Sequence, residues 1–371
     1  MFVSSPRNTD PILGSFFIPY VKMFLSIILQ PYNTNSMLRI AINGFGRIGR
    51  TTLKVGWKRK NVEFVAINDL TEPKTLAHLL KYDSVFRAWN VPVKAGKDFL
   101  LIDKKKIPVF TQTDPAKIPW GAHKVDVVIE STGRFTKTED AKKHLQAGAK
   151  RVVISAPSDD APTFLMGVNH KACRKDQTII NNASCTTNSV GPIAQILVEA
   201  FGVKKAMLST IHSVTAEQNI VDSIPPKLHP DLRRARSALV NLVPTSTGAA
   251  KATTQAIPSL KNKFDGIAIR VPTIDVSLTD FTFLLSKQTT VEEVNQVFRD
   301  AARDPRWKNI VGVTDEPLVS TDFIGSTFGT VVDLGMTRLV DGDLLKVLAW
   351  YDNEWGYSER LMDMVQYVGK L

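Results

Sequence analysis

Asn43-Gly44-Phe45-Gly46-Arg47-Ile48-Gly49 follows the apolar run Leu38 to Ile42 and opens a helical pattern that continues to Lys58. Gly44, Gly46 and Gly49 stand in GxGxxG spacing at a strand-to-helix junction, the setting in which that spacing has a mechanism. Gly44 suits a tight turn, Gly46 lets the backbone approach a pyrophosphate, and Gly49 lets the helix pack closely on the strand. The helix N-terminus itself favours phosphate charge. The same glycines could also mark an ordinary strand-to-helix turn. The second strand pattern, Val62 to Asp69, narrows the reading because Asp69 lies 20 residues after Gly49, where a carboxylate can bond ribose hydroxyls. A carboxylate there repels a 2′-phosphate, and no arginine adjoins it in sequence, so NAD is expected over NADP.

Further along, Val125 to Glu130 and Arg151 to Ser155 read as strands, with helices over Thr75 to Leu80 and Thr138 to Ala147. That alternation predicts an α/β protein beginning with a Rossmann-type parallel-sheet domain wrapped by helices. After Cys185 the strand patterns lengthen: Lys204 to Ile211, Gly266 to Arg270, Asp275 to Leu285, Phe328 to Asp333 and Leu344 to Tyr351. Val291 to Ala301 reads as a helix among them. This predicts an α+β catalytic domain with a mixed, largely antiparallel sheet. Tyr357 to Val368 is an amphipathic helix that must dock on one of the two. The expected division is 1–36 as an N-terminal extension, 37–184 as the cofactor domain and 185–352 as the catalytic domain.

The 371 residues carry a net charge of +11. Lys104 to Lys106 and Arg233, Arg234 and Arg236 are tight basic clusters, and aromatic residues do not alternate with them as in a base-stacking surface. Anionic small molecules are therefore favoured over nucleic acid as partners. Two cysteines, Cys173 and Cys185, make no disulfide framework, and neither they nor the scattered histidines have metal-ligand spacing. A reducing compartment, the cytoplasm, is expected, with no metal. The apolar run from Phe16 to Leu29 is broken by Pro19 and Lys22, lacks a small-residue cleavage pattern, and is short for a membrane span. Met37 is the preferred start of the working chain.

Ser184-Cys185-Thr186-Thr187-Asn188 places a cysteine at the start of a helical pattern that ends near Gly202, with His212 27 residues later. Unpaired amides at a helix start and a nearby imidazolium both lower a thiol's pKa, so Cys185 is a candidate nucleophile and His212 a candidate base. A dinucleotide site, a thiol and a base together suggest hydride transfer from an aldehyde held on sulfur.

Four runs sharpen this reading. Ala41 to Arg50, Ala183 to Asn188, Pro244-Thr245-Ser246-Thr247-Gly248-Ala249-Ala250-Lys251-Ala252, and Trp350-Tyr351-Asp352-Asn353-Glu354-Trp355-Gly356-Tyr357-Ser358 closely resemble the phosphorylating glyceraldehyde-3-phosphate dehydrogenase family. The resemblance runs from about Met37 to the C-terminus. It implies oxidation of D-glyceraldehyde 3-phosphate to an acyl phosphate through a thiohemiacetal and thioester on Cys185, with His212 as base. It implies that Arg47, Ile48 and Ser131 lie against the cofactor and that Asn353 bonds the nicotinamide carboxamide. Ser184, Thr186, Thr247 and Gly248 match residues that hold attacking phosphate. Thr215, Arg234 and Arg270 match residues that hold phosphate across two pockets. It also implies a homotetramer and a last segment, 353–371, that completes the cofactor domain. The chain departs from the family at Ser189-Val190-Gly191, where a second cysteine is common, and in the long loop from Val214 to Leu232. Erythrose 4-phosphate on the same scaffold, or a secondary RNA-binding role for the basic surface, are the alternative readings.

Overall fold

The glycine-rich junction lies between strand β1 (Leu38–Asn43) and helix α1 (Arg47–Gly56), at the centre of an eight-stranded sheet. The structure is a computed structural model that describes residues 37–225 and 230–371. The expectations for residues 1–36, and the Pro226 to His229 part of the long loop, lie outside the described residues.

The other strands of this sheet are β2 (Val62–Asn68), β3 (Val93–Ala95), β4 (Phe99–Ile102), β5 (Lys105–Phe110), β6 (Val127–Glu130), β7 (Arg151–Ile154) and β8 (Ile179–Asn181). Their order is β3-β4-β5-β2-β1-β6-β7-β8. From β5 to β8 every pairing is parallel. The Val and Ile runs of β1, β6 and β7 are buried on both faces, as strands covered by helices on both sides must be. Helices α2 (Pro73–Lys81) and α3 (Thr138–Gln146) contribute to that cover. The expected parallel sheet needs one correction. β3, β4 and β5 form an antiparallel meander at its edge. Those strands are short, and lysines stand in β3 and β5, so their alternation is hard to separate from a solvated loop.

Helix α4 (Cys185–Phe201) leads into the second sheet. Its strands are β9 (Val203–Ser213), β10 (Val243–Ser246), β11 (Phe264–Val271), β12 (Ser277–Leu285), β13 (Val311–Thr314), β14 (Thr330–Val340) and β15 (Leu344–Tyr351). They are ordered β10-β11-β9-β12-β15-β14-β13. The sheet is mixed and largely antiparallel, with parallel pairings only at β11–β9 and β13–β14. Helix α5 (Ala249–Ala256) packs on α4, and α6 (Val291–Arg303) covers the same face of the sheet. Phe281, Phe283 and Phe298 fill the core beneath them.

The last helix, α7 (Trp355–Val368), returns to pack on α1. It buries Leu361, Met362 and Val365 in the same apolar cluster as Ile40, Leu53 and Phe64. Burying three such side chains is worth about 1.5–3 kcal/mol each, enough to fix the chain end against the first sheet. Among the described residues no helix is long and apolar enough to cross a membrane.

Candidate active site

Gly44 has φ +91°, and a Cβ built there would stand 2.7 Å from the Thr132 amide nitrogen. Only glycine fits the turn at that spacing. A Cβ on Gly49 would lie 2.2 Å from the Gly44 carbonyl oxygen, whereas one on Gly46 would meet nothing within 4 Å. The middle glycine is thus the exposed one, at the start of α1, where no side chain caps the helix. A cleft of about 290 Å³ opens beside it, lined by Asn43, Gly44, Asn68, Asp69, Ser131 and Arg134 among others. The uncapped amides, the empty space over Gly46 and the carboxylate of Asp69 suit a dinucleotide.

Both oxygens of Asp69 accept backbone hydrogen bonds, from Phe45 at 2.7 Å and Thr71 at 2.9 Å, so its carboxylate is fixed at the rim of the glycine turn. The fold also brings Arg134, remote in sequence, to the same cleft. The Ser131 hydroxyl donates to the Gly44 carbonyl at 2.7 Å and braces the turn from below. Arg47 points elsewhere: its guanidinium bonds Glu354 and, at 3.0 Å, Asp83. Ile48 packs on the apolar cluster behind the turn. Asn353 is buried, and its Oδ1 accepts from the Ser277 hydroxyl at 2.8 Å, which leaves its amide nitrogen to donate.

The second constellation begins at α4. Ser184 caps this helix, its hydroxyl accepting from the Thr187 amide at 3.1 Å. Ala183 just before it has φ +53°, an uncommon value for a residue with a side chain. The Tyr357 hydroxyl donates to the Ala183 carbonyl at 3.1 Å, holding that turn from α7. Cys185 Sγ lies 3.5 Å from His212 Nε2. His212 Nδ1 stands 2.7 Å from the Ser213 carbonyl, which can only accept. Arg270 Nη1 also stands 3.1 Å from Nδ1, but the shorter contact is the one to the carbonyl, so the imidazole proton sits on Nδ1 and Nε2 offers its lone pair to the thiol.

The expectation of a thiol lowered by the helix start and an imidazolium is corrected here. Cys185 keeps some residue exposure, but its sulfur is enclosed, and burial pushes its thiol up to about 11 against the opposing pull of Arg270. Burial and then the Arg270 charge push His212 down to about 3. Enclosure disfavours each charge, so at neutral pH the thiol does not ionise unaided and its proton needs a place to go.

Arg270 reaches this pair from β11. Its Nη1 bonds the Thr215 hydroxyl at 3.0 Å and the Ser213 carbonyl at 3.2 Å, beside His212. Its Nε is buried without a hydrogen-bond partner among the described residues, as are Gln218 Nε2 and Arg234 Nη1, the last of which faces Glu217 beyond hydrogen-bond distance. Gln218 in turn accepts from the Thr215 amide. Arg234 is only 3% exposed, is anchored by Thr245 at 3.0 Å, and has Glu217 at 3.7 Å. Buried guanidinium and amide donors left open are costly unless an acceptor arrives, so this group is chemically suited to receive an anion. Thr247 and Gly248 stand at the start of α5, where the Thr247 hydroxyl accepts from Ala249. Neither bonds Cys185, His212 or Arg270 among the described residues. The Thr186 hydroxyl is engaged with Tyr351 at 2.9 Å, and Tyr351 also bonds Thr210 at 2.8 Å.

Residues 38–138 match the family described as glyceraldehyde 3-phosphate dehydrogenase, NAD binding domain, and residues 184–353 match its C-terminal domain. Glyceraldehyde-3-phosphate dehydrogenase 1 of Bacillus cereus is 50% identical over 334 residues, covering 90% of this chain and 98% of that protein. The Thermotoga maritima glyceraldehyde-3-phosphate dehydrogenase is 51% identical over 338 residues, covering 90% and 100%. The chain belongs to the glyceraldehyde-3-phosphate dehydrogenase family. It is an NAD-dependent oxidoreductase acting on an aldehyde group, and glycolytic dehydrogenation of glyceraldehyde 3-phosphate is its activity.

Three features of this dehydrogenase's site escape sequence reading. Tyr351 ties α4 to β9, yet on an alternating strand it reads as core. Gln218 sits in an irregular loop, where no periodicity singles it out. Tyr357 supports the Ala183 turn from a helix that closes the chain, too far away for any local pattern to reveal it.

Proposed function

We propose that Cys185 is the nucleophile and His212 Nε2 its base, in a phosphorylating route through an acyl-enzyme. The observation that carries this reading is the 3.5 Å contact between Sγ and an imidazole nitrogen free to accept. As sulfur bonds the aldehyde carbon, the carbonyl π bond breaks and the thiol proton passes to His212, which returns it to the oxygen to give a thiohemiacetal. NAD, when bound, supplies the acceptor for the hydride lost from that carbon. His212 takes the hydroxyl proton as the thioester forms. An oxygen of inorganic phosphate then attacks the thioester carbon, the C–S bond breaks, and the departing thiolate recovers its proton from His212. Proton transfer by a positioned base of this kind contributes about 10² to 10⁴ in rate.

Arg234, Arg270, Thr215 and Gln218 supply donors for phosphate groups, and Ser184, Thr186, Thr247 and Gly248 complete the phosphate-binding set. For the cofactor, Gly44, Gly46 and Gly49 with the start of α1, where Arg47 and Ile48 offer backbone amides and not their side chains, hold the pyrophosphate and adenine side. Ser131 supports it from below, Asp69 takes the ribose hydroxyls, and Asn353 donates to the carboxamide. Asp69 also favours NAD over NADP. Residues 37–184 with 353–371 form the cofactor domain and 185–352 the catalytic domain, a division supported by the packing of α7 on α1. A cytoplasmic homotetramer is proposed as well. Its support is two free cysteines and the exposed Ile220, Ile224, Leu232, Leu239, Val240 and Leu242, which a second copy would cover.

The test is NADH formation with glyceraldehyde 3-phosphate and with erythrose 4-phosphate, each with and without inorganic phosphate. Phosphate-dependent turnover, higher on the three-carbon substrate, is expected. Turnover independent of phosphate would refute the acyl-phosphate step, and preference for the four-carbon aldehyde would refute the substrate assignment.

A further inference from the structure

Beneath the cofactor cleft, two lines of hydrogen bonds converge on one buried carboxylate. The first starts at Trp120, whose indole nitrogen can only donate, 2.9 Å from His144 Nδ1. His144 Nδ1 must therefore accept, its proton lies on Nε2, and Nε2 donates to Glu130 Oε2 at 3.0 Å. The second line starts at the Gln112 amide, which donates to Asn68 Oδ1 at 2.9 Å. Asn68 Nδ2 donates to Asn43 Oδ1 at 2.8 Å, and Asn43 Nδ2 donates to the same Glu130 oxygen at 2.5 Å. The remaining oxygen of Glu130 receives the Thr132 amide at 2.8 Å and the Thr132 hydroxyl.

Trp120, His144, Glu130, Asn43 and Asn68 are all buried. With a pure donor at each outer end and a pure acceptor in the middle, no amide or ring in the series can be reversed without setting donor against donor. Glu130 has four donors, and among the described residues the only basic side chain that meets it is His144, neutral in this arrangement. The series crosses the ends of β6, β1 and β2 and the segment after β5. Asn43, Asn68, Gln112 and Thr132 from it also line the cleft.

We propose that Glu130 and His144 are positioning residues that hold these strand ends at the spacing the dinucleotide requires, acting through Asn43, Asn68 and Thr132 without touching the reacting atoms. Glutamine at 130 must turn its NH₂ toward either Thr132 or the Asn43 and His144 donors, so one line breaks whichever way it faces. Glu130→Gln and His144→Leu are each expected to raise the NAD Kd and KM about tenfold, the scale of one stranded buried donor. The kcat at saturating NAD and the aldehyde KM should stay within about twofold. His144→Gln, which can accept from Trp120 and donate to Glu130, is expected to bind NAD within about twofold of the parent.

The experiment is calorimetric titration with NAD and steady-state kinetics on the full-length chain, with melting temperatures recorded alongside. Trp120→Phe, which keeps an aromatic ring but is smaller and lacks the outer donor, serves if His144→Leu does not fold. ¹⁵N-histidine spectra read its effect as loss of the fixed Nε2–H tautomer. Lower melting temperatures with unchanged NAD affinity in Glu130→Gln and Trp120→Phe would overturn the proposal and leave the series a purely structural role. So would equal loss of affinity in His144→Gln and His144→Leu.

Discussion

Helix α1 starts at the dinucleotide cleft and α4 at Cys185, and their first turns are built in opposite ways. At α1 the N-cap is an exposed glycine, no side chain bonds the free amides, and the space above it is open. At α4 the Ser184 hydroxyl closes the first turn, the Asn188 side chain bonds the Asn182 and Ser184 carbonyls at 2.8 and 3.0 Å, and Tyr357 braces the residue before. An open helix start leaves its amides and dipole to an anion that comes and goes. A closed one spends them on its own chain and gains a rigid mount for a side chain that must meet His212 in one orientation. The same element thus serves as a receptor in one place and as a mount in the other, and its capping decides which.

Removing the partner that the mount aims at should have the largest effect. His212→Asn is expected to lower turnover by about 10² to 10⁴ at neutral pH. Because burial holds the Cys185 thiol up at about 11, residual activity in that variant should climb as pH rises and thiolate forms without help. A pH–rate profile with a flat residual would break the contrast by showing that α4 ionises the thiol alone.

The open start is tested by a pair of alanines. Gly46→Ala meets no atom within 4 Å, so its stability should stay within about 0.5 kcal/mol of the parent while NAD affinity falls. Gly49→Ala forces a Cβ to 2.2 Å from the Gly44 carbonyl, which should cost roughly 1–3 kcal/mol of stability. Denaturant melts and NAD titrations separate the two outcomes.

Between the two helix starts runs a line of acids. Glu354 bonds Arg47 at the start of α1, Asp352 accepts the Glu354 and Trp355 amides, and Asp275 lies beside them, 2% exposed, with neither oxygen partnered among the described residues. Burial, then the charges of Asp352 and Glu354, push Asp275 up to about 9, and burial pushes Asp352 up to about 6. A carboxyl raised on folding contributes stability that is full below the ordinary carboxylate range and is lost as pH climbs through the raised value. Asp275→Asn cannot ionise, so its melting temperature should gain on the parent steadily from about pH 5 to about pH 9, by a few degrees at the alkaline end. A constant gap would show that Asp275 is not held protonated by folding over that range.

Ser184→Ala should be the mildest change. Loss of the cap costs about 1 kcal/mol, with kcat reduced more than KM because the mount loosens while the open start is untouched. Thermal melts and steady-state kinetics check both halves.

The contrast between the helix starts also separates what the chain makes legible from what it hides. The α1 junction is written in seven consecutive residues, and each glycine meets a local steric demand, so its reading needs no tertiary knowledge. The start of α4 is legible from spacing, whereas the contact of Cys185 with His212 is not, because it depends on how the end of β9 is brought to the helix start. The thiol's protonation is not legible either, since it depends on how fully the folded chain encloses sulfur, and burial there outweighs the helix end. The open donors of Gln218, Arg234 and Arg270 come from three segments whose proximity follows only from the β11–β9 pairing and an irregular loop. The edge meander of β3 to β5 was hidden by short, charged strands. Its discovery changes the sheet's rim without moving the cleft.

The most direct measurement is a single turnover of glyceraldehyde 3-phosphate with NAD in the absence of phosphate, followed by mass spectrometry of the Cys185 peptide. One equivalent of NADH per subunit is expected, with an acyl group on Cys185 that leaves when phosphate is added. Continued NADH formation without phosphate, or a burst with no acyl group on Cys185, would contradict the assignment of the closed helix start as the mount for the nucleophile.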